Sequence, residues 1–114
     1  MLFSSIEEYL NTTKKDTIIF CVANIGILDM LENFIISCLK NNIDILLFAL
    51  DNDVASIIYN KYNIDIILYG DEFCSILKNK FNVTINLNNF IRIDTHNFRY
   101  ISFARFFISN KILK

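Results

Sequence analysis

The stretch Thr17–Asp51, TIIFCVANIGILDMLENFIISCLKNNIDILLFALD, decides the fold. It opens on Thr17–Ala23, an unbroken apolar run rich in branched side chains. Such a run lacks the alternation of a half-exposed strand and reads as a strand covered on both faces. Asn24-Ile25-Gly26 breaks it. Ile27–Leu39 then places Leu28, Leu31, Ile35 and Leu39 on one helical face. Asn41-Asn42 closes that helix, and Ile43–Leu50 reads as a second buried strand.

The same alternation continues outward. Asp51 or Asn52 caps a helix over Val54–Tyr62. Ile64–Tyr69 is a third strand, ended by Gly70, and a helix follows at about Glu72–Asn79. Residues 17–80 are therefore a βαβαβα core, which right-handed connections wind into a parallel, Rossmann-like α/β sheet with flanking helices. Residues 1–16 form an N-terminal helix and linker: Ser5 with Glu8 is a capping box for a helix over Ile6–Asn11 that packs on the sheet edge. Residues 81–97 form an arm and loop, with Phe81–Leu87 alternating as a half-exposed strand or extended arm. Neither an internal repeat nor a domain linker divides the chain.

The last segment, 98–114, reads as a helix apolar on nearly every side. Ile101, Ala104, Ile108 and Ile112 recur on one face, and Phe103, Phe106, Phe107 and Leu113 fill most of the rest. A helix apolar all round is normally buried, and nothing follows this one that could bury it. The expectation is the front part of a larger fold, or a small domain that docks on a partner or a second copy.

Composition bounds the function. The chain has 114 residues, a formal charge of −1, 54% hydrophobic residues, eleven Phe and no Pro, which suits one compact domain with a real core. The basic residues are scattered, so nucleic acid is not expected as a partner, because phosphate-backbone binding needs clustered Lys and Arg. No apolar run reaches the roughly 18 residues of a membrane span. The N-terminus is too acidic for a signal peptide, so a cytoplasmic location is expected. Cys21, Cys38 and Cys74 stand far apart on apolar segments without a CxxC, and are read as buried thiols rather than zinc ligands.

Ligands of parallel sheets bind beyond the carboxyl ends of the strands. Here those ends are Ala23–Gly26, Leu50–Asp53 and Tyr69–Asp71, where Asn24, Asp29, Asp51, Asp53, Asp71 and Glu72 gather. Asn24-x-Gly26-x-x-Asp29-x-x-x-Asn33 sits at the first strand–helix turn. Gly26 permits close backbone approach and the helix start offers N–H groups to an anion, but the same residues also make a turn and helix cap. Asp51-x-Asp53 has the spacing of a pair that holds a hard divalent cation, but is read first as a helix cap that favours the positive end of the helix. Arg105 is the one charge within the final helix. It either meets a diphosphate or carboxylate, or carries its charge to the surface. His96, in a polar loop, is read as solvated.

Residues 17–114 resemble the N-terminal half of nucleotide-diphospho-sugar glycosyltransferases of the GT-A fold. Three pieces carry the likeness: TIIFCVANIGILDMLENFIISCLKNN, the strand closing in ILLFALD, and YISFARFFISNKIL with its basic residue. The resemblance implies a donor site for a UDP- or GDP-sugar, with Asn24, Gly26 and Asp29 at the nucleotide-binding turn, Asp51 near the base or ribose, and Arg105 near the diphosphate or sugar. The family's metal-binding D-x-D is expected just beyond Lys114, so Mn²⁺ or Mg²⁺ is expected of a full-length relative and not of this chain alone. Without that clamp the rate falls on the order of 10²- to 10⁴-fold, so little or no transfer is expected. The rival expectation is a non-enzymatic interaction or oligomerisation domain. A phospho-acceptor receiver fits poorly, since Ala23-Asn24 stands where an acidic pair is wanted.

Overall fold

The computed structural model of the chain describes residues 1–13, 17–82, 107–109 and 112. Their elements run β1 Leu2–Phe3, α1 Ile6–Thr12, β2 Phe20–Ala23, a 3-10 turn Ile25–Ile27, α2 Leu28–Lys40, β3 Leu46–Ala49, α3 Asn52–Lys61, β4 Asp65–Leu68 and α4 Gly70–Phe81. The sheet is parallel throughout, in the order β1-β4-β3-β2. The α/β class and the parallel sheet read from the sequence are as found.

The hydrogen-bonded strands are shorter than the apolar runs. Phe20–Ala23 registers with Leu46–Ala49, and Leu46–Ala49 with Asp65–Leu68. An apolar run records burial, whereas strand length is set by the overlap of neighbours, here four residues. Strand β1 has no sequence signal, because two residues carry no period. It pairs with β4 through Leu2↔Ile66 and Phe3↔Ile67, so the N-terminal segment joins the sheet as well as packing a helix on it.

Alternation along the strands separates two cores. Leu46, Phe48, Leu50, Ile67 and Tyr69 face α1 and α4. Leu47, Ala49, Ile66 and Ala23 face α2 and α3, meeting Leu31, Ile35, Val54 and Ile58. The connectivity demands this division. The path β2–β3–β4 steps one way across the sheet, while β1 to β2 crosses it in the reverse direction. Connections of one hand then put α1 opposite α2 and α3. Rings fill the first core: Phe48 meets Phe20 and Tyr69 edge-on at 5.4 Å, and Tyr69 stacks on Phe73 at 6.1 Å.

The last described residues correct the expectation that nothing buries the final helix. Residues 107–109 and 112 are helical. Ile108 is fully buried with Phe3, Ile6, Phe73 and Leu77, and the Phe107 ring lies 6.1 Å from Phe73. The fold's own first face receives this part of the helix. Residue 81 ends α4 and Asn82 caps it in the left-handed conformation (φ 54°), so the expected strand does not begin at Phe81. The remainder of 83–106 lies outside the described residues.

Ile108→Val removes one methyl group from a fully buried site and is expected to lower stability by about 1 kcal/mol. Chemical denaturation followed by far-UV circular dichroism measures this, and an unchanged midpoint would mean that the segment does not dock.

The helix termini follow local chemistry. Ser5 Oγ accepts from Glu8 N–H at 3.1 Å, as its capping box predicts, but the Glu8 carboxylate accepts from Ser4 N–H at 3.0 Å rather than from Ser5. The Ser4 hydroxyl also donates to this carboxylate, and that bond, with the one from Ser4 N–H, holds Glu8 below the usual carboxylate range. On the second face Glu32 of α2 accepts from Lys61 Nζ at 2.9 Å and Tyr62 Oη at 3.0 Å, which ties α2 to the end of α3. The same bonds hold the Glu32 carboxyl below its ordinary value.

Candidate functional site

The carboxyl ends of β2 and β3 meet in one hydrogen-bonded clasp. Asp51 follows β3 in extended conformation, is buried, and caps α3 by accepting from Val54 N–H at 2.7 Å. Its second oxygen accepts from Ile25 N–H at 2.7 Å, twenty-six residues away. Asn24 is also buried, and its Oδ1 accepts from Gly26 N–H at 3.1 Å. The backbone closes the turn with Ile27 N–H donating to Asn24 O at 3.3 Å. Asn24, Gly26 and Asp51, named from the sequence as one site, are thus neighbours.

The bonding also narrows what the turn offers. The amides of Ile25, Gly26 and Ile27 are each spent within the clasp. The expected supply of free N–H groups at this turn is therefore taken by Asn24 and Asp51 themselves. Gly26 does not use glycine's conformational freedom, since no described glycine has positive φ. Asp29 and Asp53 are exposed beside the clasp, and Ile25 through Met30 line a shallow depression over it. Arg105 and His96 lie outside the described residues.

A feature the sequence reading missed lies between β3 and β4. The loop after β3 leads to α3 on one face and the loop after β4 leads to α4 on the other, which makes this the switch point where open α/β sheets hold ligands. Here the backbone closes it. A Cβ on Gly70 would stand 3.1 Å from the Leu50 carbonyl carbon and would collide with its oxygen. The signal was present, as Gly70 directly follows a buried strand. Beneath it Tyr69 is buried, its hydroxyl has no hydrogen-bond partner among the described residues, and burial raises its phenol above the ordinary value.

Charge is one-sided at this end. The turns 23–30, 50–54 and 69–73 carry Asp29, Asp51, Asp53, Asp71 and Glu72 and neither Lys nor Arg. A diphosphate placed there needs a cation from elsewhere. Among the described residues there is no group of three or more His, Cys, Asp or Glu side chains placed to hold a metal ion. The spacing of Asp51 and Asp53 therefore does not build a metal centre from these residues, because Asp51 turns inward to the backbone while Asp53 is exposed. No described helix is long and apolar enough to cross a membrane.

A scan against protein-family models finds no match, and neither does a search of curated proteins or of solved structures.

Proposed function

We propose that the chain is a glycosyltransferase-like domain that holds the nucleoside end of a UDP- or GDP-sugar. The observation that supports this reading is the 2.7 Å bond from Ile25 N–H to Asp51 Oδ2. It joins into one ledge the two turns that the resemblance assigns to the nucleoside. The exposed Asp29 at the head of α2 suits a hydroxyl donor such as ribose, since an ionised carboxylate only accepts. The acidic surroundings disfavour a diphosphate at the clasp, and in this reading the cation that the resemblance assigns to the diphosphate is Arg105. Mn²⁺ or Mg²⁺ belongs to a full-length relative, and the described residues do not fit such an ion.

Titration of isotope-labelled protein with UDP, GDP and their sugar conjugates tests this by NMR. Saturable shifts are expected at the amides of Asn24–Asp29 and Asp51–Val54, with no dependence on added Mn²⁺. Absence of shifts with every nucleotide rules the donor site out.

The second reading, a non-enzymatic interaction or oligomerisation domain, is favoured by a different observation. Ile108 lies inside the fold, while Ile19, Met30 and Phe34 are exposed at 46%, 66% and 44%. An apolar surface thus lies along one sheet edge.

A further inference from the structure

Strand β2 ends the sheet, and no described strand lies outside it. The carbonyls of Ile19 and Ala23 accept from Leu46 and Leu50 N–H, each at 2.9 Å, so the odd-numbered residues bond inward to β3. Strand alternation then turns the N–H and C=O groups of Phe20 and Val22 outward. Natural edges are usually protected by charge, by Pro or by a bulge. Along the described edge neither charge nor Pro supplies that protection, since Thr17–Leu28 contains neither a charged residue nor a Pro.

Helix α2 extends the apolar surface sideways. It buries Leu31, Ile35 and Cys38 against the sheet, and Glu32 marks the flank that faces α3. Met30 and Phe34 stand two residues either side of Glu32, about 160–200° around the helix. They therefore look away from α3, over the β2 edge. The stripe they occupy continues through Ser37 and Asn41 and is uncharged, whereas Glu32 lies on the opposite flank and Asp29 and Lys40 lie on the solvent face.

We propose that the β2 edge is the two-fold interface of a homodimer, with β2 antiparallel to β2 of a second copy and the Met30–Phe34 flanks of both α2 helices closing over the seam. Charge selects a second copy as the occupant. A two-fold contact sets each patch against itself, so any charge on it would meet its like. Both the strand and the helix stripe are free of charge. Hydrogen bonding fits as well. With the axis at Cys21, Phe20 faces Val22 of the second copy and Val22 faces its Phe20, so both outward residues exchange N–H and C=O bonds. Cys21 then faces its own counterpart at a non-hydrogen-bonded position, with Cα atoms about 4.5 Å apart, within disulfide reach. A two-fold axis normal to the sheet also keeps both α2 helices on the same face. This interface meets the depression over the clasp at Met30, and the two proposals are told apart by their readouts, association here and nucleotide-dependent shifts at Asn24–Asp29 there.

Sedimentation of the full chain at micromolar concentration tests the proposal. A dimer is expected, and Met30→Lys/Phe34→Lys, both at exposed sites, should weaken it at least about a hundredfold while leaving the circular dichroism spectrum unchanged. The register is read with a Cys38→Ala/Cys74→Ala variant, whose only thiol is Cys21. Burial pushes that thiol up to about 12, so a copper–phenanthroline oxidant is used. Capture of a covalent dimer, absent when Cys21→Ser is added, is the expected outcome. A monomer throughout the micromolar range overturns the proposal. So does a dimer that withstands the double lysine change, or one that Cys21 fails to trap.

Discussion

Asp51→Ala is expected to lower the unfolding free energy by about 2–4 kcal/mol. The substitution removes two short bonds at once. Loss of the α3 cap at Val54 N–H alone costs about 1 kcal/mol. The part-buried Ile25 N–H then also loses its carboxylate, and an amide left without an acceptor costs about 1–3 kcal/mol. Against a total of about 5–15 kcal/mol for a domain of ordinary stability, the loss moves the denaturation midpoint far enough for an unambiguous reading. Asp51→Asn keeps one acceptor oxygen but points an amide donor at the other N–H, so an intermediate loss is expected. Urea unfolding followed by far-UV circular dichroism, at one fixed protein concentration because association would shift the apparent stability, is the measurement. A loss below about 0.5 kcal/mol, the scale of an ordinary surface change, would show that the clasp does not hold in solution.

Gly70→Ala should cost about 3 kcal/mol or more. Its methyl group would press on the Leu50 carbonyl, which is backbone rather than the end of a flexible side chain. Leu50 is held in turn by its own N–H bond to Ala23 O at 2.9 Å, and Tyr69 by its bond to Ala49 O at 2.9 Å. The strand ends on both sides are thus pinned, and relief requires α4 to move off the sheet. Overpacking of a tight site costs about 1–3 kcal/mol even where side chains can adjust. The same urea series reads the effect. A Gly70→Ala protein as stable as the parent would mean that β3 and β4 separate at their carboxyl ends, and that the switch-point crevice is open after all.

These two expectations bear on the donor-site reading. Asp51 cannot serve as a clean probe of nucleotide binding, since its removal loosens α3 and the β2–α2 turn together. Asp29, exposed and outside the clasp, reports on the ledge without that complication. The two effects also mark where the sheet's binding end is rigid: the β2–β3 turns are fastened by a carboxylate, and the β3–β4 gap is shut by backbone.

Much of the architecture was legible in the chain itself. The runs at 17–23, 43–50 and 64–69 lack alternation because both sheet faces are covered, and that alone called for a parallel sheet with helices on either side. The cap at Asp51 could also be read, since its carboxylate bonds Val54 only three residues away, and local bonds leave local patterns. What required the tertiary structure is everything that joins distant residues. The bond from Asp51 to Ile25 spans twenty-six positions and turns a candidate ligand contact into a clasp. The pairing of Leu2–Phe3 with Ile66–Ile67 adds a strand too short to have a period. The final helix showed its apolar character in sequence, but only the reversal of direction between β1–β2 and β2–β3–β4 creates the face on which Ile108 is buried. Periodicity reports how apolar a segment is and on which side. Which surface receives it depends on strand order, and strand order is fixed by packing between segments that no local pattern connects.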